Sequence, residues 1–281
     1  MARSPARPLL VACGIAREAA IAMRGAGGGL LAVAGGGDGA QLERELRAAA
    51  GRGAAGVLSF GLAGALAPGL GVGDWVVGEG LHAGPDCDLP WVRALAAIFP
   101  RSPILSGVGE GDRPDGGGAA QGVEGGPGAK SAPVSSSTAL RAVPPADRRL
   151  ARIWADGSLA ATAEAKRQLH ARTGALATDM ESHIAARVAA DHGLPFAILR
   201  VISDSAADAL PPAFAVAMQP GGGTDYAALI ASLATRPGQL PAFVRAARHA
   251  MTALRALLRG RVLLGPRFLL PDAGERAADV I

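Results

Sequence analysis

Four of the five carboxylates in the 32 residues from Ala177 to Asp208 fall in two pairs: Asp179 and Glu181 ahead of one apolar segment, Asp204 and Asp208 at the end of the next. A carboxylate offers two acceptor oxygens and can take or give a proton. Two such pairs on one rim would suit a polyhydroxylated or protonatable ligand. The residues between them explain how they would arrive there. From Glu181 to His192, Ile184, Ala185, Val188 and Ala189 recur at helical spacing, and Gly193 supplies the stop. The run Pro195 to Ile202 reads as the strand that completes the sheet. In α/β folds ligands sit beyond the carboxyl ends of such strands. A structural reading stands beside the chemical one: a carboxylate at position 181 also favours a helix start through the macrodipole, and Asp208 reads as a loop or capping residue.

The elements that must position these groups alternate along the chain. Strands are predicted over 8–13, 30–34, 56–60, 74–77 and 175–178, and helices over 17–23, 39–50 and 163–172. Strands alternating with helices of this length predict a three-layer α/β/α domain with a mostly parallel central sheet, spanning residues 1–270. Residues 109–137 are rich in Gly, Ser, Ala and Pro and nearly free of large apolar side chains, so they read as a flexible insertion. A basic helix is predicted over 240–262, and 271–281 form a tail.

Of the 281 residues 49% are hydrophobic but only 4% aromatic, so the core must be built from Ala, Val, Leu and Ile. The net charge is +4, yet the segment from Tyr226 to Pro271 carries seven Arg and no acid, which leaves −3 for the remainder. This is a basic segment on a mildly acidic body, without a nucleic-acid-binding motif. Cys13 and Cys87 are too few for a disulfide framework and lack metal-ligand spacing, so a cytoplasmic, reducing location is expected. His183, His192 and His249 form no metal-ligand pattern either. Leu10-Val11-Ala12-Cys13 imitates a lipoprotein cleavage box but reads better as the first strand. The uncharged run from Gly53 to Gly73 is long enough for a bilayer, but its glycines and Pro68 suit a buried strand followed by a tight loop.

Gly35-Gly36-Gly37-Asp38-Gly39-Ala40 follows a strand and opens a helix in the G-x-G-x-x-A pattern. A dinucleotide site would need an acid about twenty residues on, and Ala54 to Ala65 contains none. A glycine turn lining a nucleoside or phosphate pocket, or plain turn chemistry, explains it better. A second glycine-rich block, Val57 to Leu66, leads through Pro68-Gly69 into Gly73-Asp74-Trp75-Val76-Val77. Together with Met180-Glu181 and Ser203-Asp204, this block resembles the purine nucleoside phosphorylase and methylthioadenosine/adenosylhomocysteine nucleosidase superfamily. More narrowly, Asp179-Met180-Glu181-Ser182-His183, Leu210-Pro211-Pro212 and Arg236-Pro237-Gly238-Gln239-Leu240-Pro241 resemble the hopanoid-associated phosphorylase subfamily.

The resemblance implies cleavage of an N-glycosidic bond to a purine. Glu181 is implied to accept hydrogen bonds from the ribose hydroxyls, with Met180 beneath the sugar. Asp204 is implied to be the general acid that protonates the base, oriented by Ser203, and an aspartate there points to adenine. Ser59, Gly61, Ala63 and Gly64 are implied to line the substrate pocket, with Ser59 near the nucleophile. Gly14 with Arg17 offers an anion pocket at a helix start. The superfamily's phosphorylases often carry an arginine where Ser59 stands. Its nucleosidases carry a water-activating glutamate after the first strand, where alignment gives Ala19, with Glu18 adjacent. Phosphorolysis, with inorganic phosphate as co-substrate, and hydrolysis therefore both stay open. No metal or redox cofactor is implied.

The subfamily implies adenosylhopane as substrate, giving adenine and a ribosyl or phosphoribosyl hopane in hopanoid biosynthesis. An ordinary methylthioadenosine/adenosylhomocysteine nucleosidase and a non-catalytic nucleoside-binding or membrane scaffold are the alternatives. Leu240, Phe243, Val244, Ala247, Met251, Leu254 and Leu258 recur at helical spacing, with Arg245, Arg248, Arg255 and Arg259 around them. Such a helix packs on the domain or a neighbouring subunit, or rests on an anionic membrane surface where a lipid-linked nucleoside would reside. A homo-oligomer is expected from the superfamily.

Overall fold

The computed structural model describes residues 7–99, 150–213 and 226–271. The predicted insertion at 109–137 and the tail beyond 271 lie outside them.

In chain order the elements are β1 (Leu9–Cys13), α1 (Ala16–Ala22), β2 (Leu30–Ala34), α2 (Gly39–Gly51), β3 (Gly56–Ala65), β4 (Trp75–Leu81) and α3 (Leu89–Ile98). They continue as β5 (Leu150–Ala155), α4 (Ala163–Thr173), β6 (Ala177–Asp179), α5 (Ser182–Asp191), β7 (Phe196–Asp204), α6 (Tyr226–Thr235) and α7 (Leu240–Leu263). β1 lies between β2 and β3, and β3 pairs with β7, all in parallel. The burial of β1 accounts for its unbroken apolar run and makes Leu9 to Cys13 a core strand, and β7 is buried likewise with Arg200 inside it.

The sheet is mostly parallel, as predicted, with antiparallel pairings at its far side. β4 runs antiparallel to β7, β5 is parallel to β4, and β6 is parallel to β5 but antiparallel to the end of β3. Five of the seven pairings are parallel, so the sheet is mixed and its strands β3, β7, β4, β5 and β6 pair in a ring. The cause is the length of β3. Sequence periodicity stops it at Phe60, whereas it runs on to Ala65, and Gly64 and Ala65 reach β6. The glycines in this block continue the strand where a turn was predicted.

Helix α7 packs on β7 and α1, and its buried side chains all fall in its C-terminal half: Ala253, Leu254, Ala256, Leu257 and Arg261, with Gly260. Trp75 stacks on Phe99 and lies so close to Gly260 that there is no room for a side chain at that position. The predicted apolar stripe is thus half used: Leu254 is buried, whereas Leu240, Val244 and Met251 remain exposed. Among the described residues, no helix is long and apolar enough to cross a membrane.

Candidate active site

The start of α5 is capped by Asp179, at the end of β6. Its Oδ1 accepts hydrogen bonds from Glu181 N (2.9 Å) and Ser182 N (2.7 Å), and its Oδ2 accepts one from Ser182 Oγ at 2.6 Å. Glu181, the residue before the helix, makes no side-chain cap of its own. The helix-start explanation for a carboxylate at this point belongs to Asp179, which leaves the Glu181 carboxylate for another purpose.

That carboxylate faces Arg200, a fully buried arginine from the middle of β7. Arg200 Nη2 lies 3.6 Å from Glu181 Oε2, and Nε lies 3.1 Å from Asp179 Oδ2. Nη2 also donates to Ser59 Oγ at 2.6 Å and to Ser182 Oγ at 3.1 Å. The guanidinium fork thereby ties β6, β7, β3 and α5 together. Burial beside Asp179 and Glu18 pushes the Glu181 carboxyl up to about 8, with Arg200 opposing.

Glu18 is the third acid at this place and is buried, only 3% exposed. Its Oε2 accepts from Gly14 N (2.7 Å) and Ile15 N (3.0 Å), and its Oε1 accepts from Leu62 N (2.8 Å). Burial raises its carboxyl above the usual range despite Arg200 and the three backbone donors. Glycines admit these carboxylates. A Cβ on Gly61 would lie 2.6 Å from Glu18 Cδ, and one on Gly14 would lie 3.0 Å from Glu181 Oε1 and 3.2 Å from Glu18 Oε2. Glu18 and Glu181 therefore flank the same backbone segment after β1.

These contacts correct three expectations. The backbone donors of the predicted Gly14 anion pocket are taken by Glu18, a carboxylate of the chain itself. Arg17 points elsewhere: its Nη1 contacts Met251 Sδ at 3.5 Å on α7. Ser59 is fully buried and serves Arg200 and Ser182, so it stands behind the site and not in it. Alignment pointed to Ala19, whereas the carboxylate found in this cluster is that of its neighbour Glu18.

Asp204 ends β7, 7% exposed. A register shift between Ala63 and Gly64 places Gly64 opposite Asp204, and a Cβ on Gly64 would lie 3.0 Å from Asp204 Oδ2. Ser203 Oγ donates to Asp204 Oδ1 at 2.6 Å and approaches Ala63 O at 3.2 Å. Lys166, fully buried on α4, pairs with Asp204 Oδ2. Asp208 accepts from Ser205 N and Oγ, the loop-capping role expected of it. Glu18 and Asp204 thus approach the same strand, at Gly61 and Gly64, roughly 10 Å apart along its rise. A cavity of about 90 Å³ is lined by Glu181, by the glycine turn at Gly35, Gly37, Asp38 and Gly39, and by Met180 and His183. In that turn Asp38 caps α2 through Gln41 N.

Sequence reasoning missed Arg200 and Lys166. Arg200 was visible as the one charge inside an apolar strand, and Lys166 as one of only two lysines in a chain that otherwise uses Arg.

Residues 16–235 match the profile of the Phosphorylase superfamily. No curated protein matches the sequence. Among solved structures, the fold is similar to 5′-methylthioadenosine/S-adenosylhomocysteine nucleosidase of Helicobacter pylori, at a TM-score of 0.51 and 14% identity over 92% of this chain and 99% of that one. It is also similar to futalosine hydrolase of Helicobacter pylori, at 0.50 and 14% over 91% and 97%.

Proposed function

We propose, from the premise that this chain belongs to the phosphorylase superfamily, that it cleaves the N-glycosidic bond of an adenine nucleoside with water as nucleophile. The observation that carries the choice of water is the seat of Glu18, whose carboxylate accepts from Gly14 N, Ile15 N and Leu62 N. Phosphate would need such donors for itself and would meet a negative charge in their place. A carboxylate whose proton affinity is raised by burial suits a base that takes a proton from water. Glu181 would hold the ribose hydroxyls as positive charge develops on the sugar. Asp204 would protonate the purine, and the water activated by Glu18 would capture C1′. This chemistry asks for no metal or redox cofactor.

The preferred substrate is adenosylhopane, giving adenine and ribosylhopane. Support comes from the motifs shared with the hopanoid-associated subfamily and from the outer face of α7. Leu240, Val244 and Met251 are exposed there beside the exposed Arg245, Arg248 and Arg255, and Val262 and Leu263 are exposed near its end. A basic, apolar surface suits peripheral contact with an anionic bilayer that holds a lipid-linked nucleoside, at the cytoplasmic face. A homo-oligomer belongs to the same reading.

The test is adenine release from adenosylhopane and from 5′-methylthioadenosine, each with and without phosphate. Release independent of phosphate and faster from adenosylhopane is expected. A strict phosphate requirement rejects water as nucleophile, and preference for the soluble thioether rejects the lipid substrate. Asp204→Asn is expected to lower kcat by about 10²- to 10⁴-fold.

A further inference from the structure

Lys166 is an unusual cation for its place in the fold. It is fully buried and sits in the first turn or so of α4, just after the Thr162 cap, where the helix dipole disfavours positive charge. Only Lys166 and Leu169 of that helix are buried, so a lysine occupies a place where an apolar side chain would be the stabilising choice. Its ammonium has three donors, and three acceptors meet it: Asp204 Oδ2, Ser205 O at 2.9 Å and Asp208 O at 2.9 Å. The pair and the turn after it are gripped from one point. Ser203 Oγ holds the other carboxylate oxygen.

We propose that Lys166 is a positioning residue for the proton donor, fixing the Asp204 carboxyl and the Ser205–Asp208 turn in the geometry from which the purine is protonated. The proposal rests on the assignment of Asp204 as general acid. In the step, the O–H bond of Asp204 breaks and an N–H bond forms on the purine, while the glycosidic electron pair passes to the base. Asp204 is left as a carboxylate facing the Lys166 ammonium. Held by Lys166 on one oxygen and Ser203 on the other, the carboxyl cannot rotate, and each oxygen keeps a lone-pair site for the transferred proton. Small displacements of a catalytic group are costly, about 10²-fold for 1 Å.

The test uses the full chain with Lys166→Met, Asp204→Asn and the double variant, on whichever adenine nucleoside the unaltered protein cleaves. Asp204→Asn is read first: wild-type rates there reject the general-acid assignment itself. If that variant is slow, Lys166→Met is expected to lower kcat about 10²-fold with KM unchanged. Affinity for 5′-methylthiotubercidin, which carries carbon in place of N7, is expected to stay at the wild-type value, because it depends on the pocket and not on the proton. The double variant should be no slower than Asp204→Asn alone. Unchanged kcat, a matching loss of analogue affinity, or additive losses in the double variant would overturn the proposal. If Lys166→Met does not fold, the double variant, which removes both charges, is compared with Asp204→Asn: equal rates support the role, and a further loss or failure to fold marks Lys166 as structural and overturns it.

Discussion

Gly61 and Glu18 come from elements more than forty residues apart, yet a Cβ on Gly61 would lie 2.6 Å from the Glu18 carboxylate carbon. The strand can pass the acid only where it has no side chain. Gly61→Ala must therefore push Glu18 from its three backbone donors or move β3. Overpacking of this kind costs about 1–3 kcal/mol. The expected outcome is a folded protein, somewhat less stable by thermal melting, that has lost most of its adenine release. Glu18→Gln keeps the shape and removes the base, so kcat should fall by about 10²- to 10⁴-fold with little change in KM. Retention of the wild-type rate in Glu18→Gln would remove Glu18 from the chemistry.

Arg200 neutralises a cluster of Asp179, Glu181 and Glu18 that would otherwise be buried without a counter-charge. Arg200→Met leaves those acids to be protonated or hydrated, and breaking such a buried pair costs about 3–5 kcal/mol. The urea midpoint should fall accordingly. Arg200→Lys should restore little, because one ammonium cannot reach Ser59, Ser182 and both carboxylates in the fork geometry. A lysine variant of wild-type stability would show that charge alone, without the fork, holds the site.

The raised Glu181 carboxyl fixes the sign of a pH effect. A group whose folded-state proton affinity exceeds its unfolded one contributes stability below its ordinary value, 4.5, and loses it as pH rises through about 8. The empty protein should therefore melt at progressively lower temperature from weakly acidic pH to about 8, and Glu181→Gln should flatten that slope. Substrate works in the opposite sense, since two ribose hydroxyls donate better to the ionised form. KM is expected to fall as pH rises through the same window. A KM flat across it would separate Glu181 from the diol.

Much of this was legible in the chain because local chemistry and burial agreed. Gly193 ended its helix, and the strands predicted over 8–13 and 195–202 became the core strands β1 and β7. The site was less legible where a contact is long-range. Nothing local shows that Gly61 must make room for Glu18, or that Asp179, and not Glu181, caps α5. Register was the other failure: whether Glu18 or Ala19 meets the site depends on which face of a seven-residue helix packs inward, and only tertiary contact with Leu62 decides it. The strand β5 and helix α3 went unread for different reasons. β5 is only six residues long with Arg152 in its middle, and α3 begins at Leu89-Pro90, where a proline at the first turn looks like a breaker although it is a favoured helix start.

Ser59 gives the sharpest contrast between resemblance and structure. Family alignment puts it beside the nucleophile, whereas its hydroxyl accepts from Arg200 Nη2, lies 2.9 Å from Ser182 Oγ and has no exposed surface. A residue in direct contact with the reacting water would cost several orders of magnitude in kcat when truncated. A residue that holds the arginine behind the carboxylates should instead cost about 1–3 kcal/mol of stability through the unpaired buried donor, with a smaller effect on rate. Ser59→Ala is expected to follow the second pattern: a lowered urea midpoint, a less than about tenfold loss in kcat, and partial recovery of rate at low temperature as the folded population is restored. A collapse of kcat with unchanged stability would return Ser59 to the nucleophile and require the pocket to open on that side of β3.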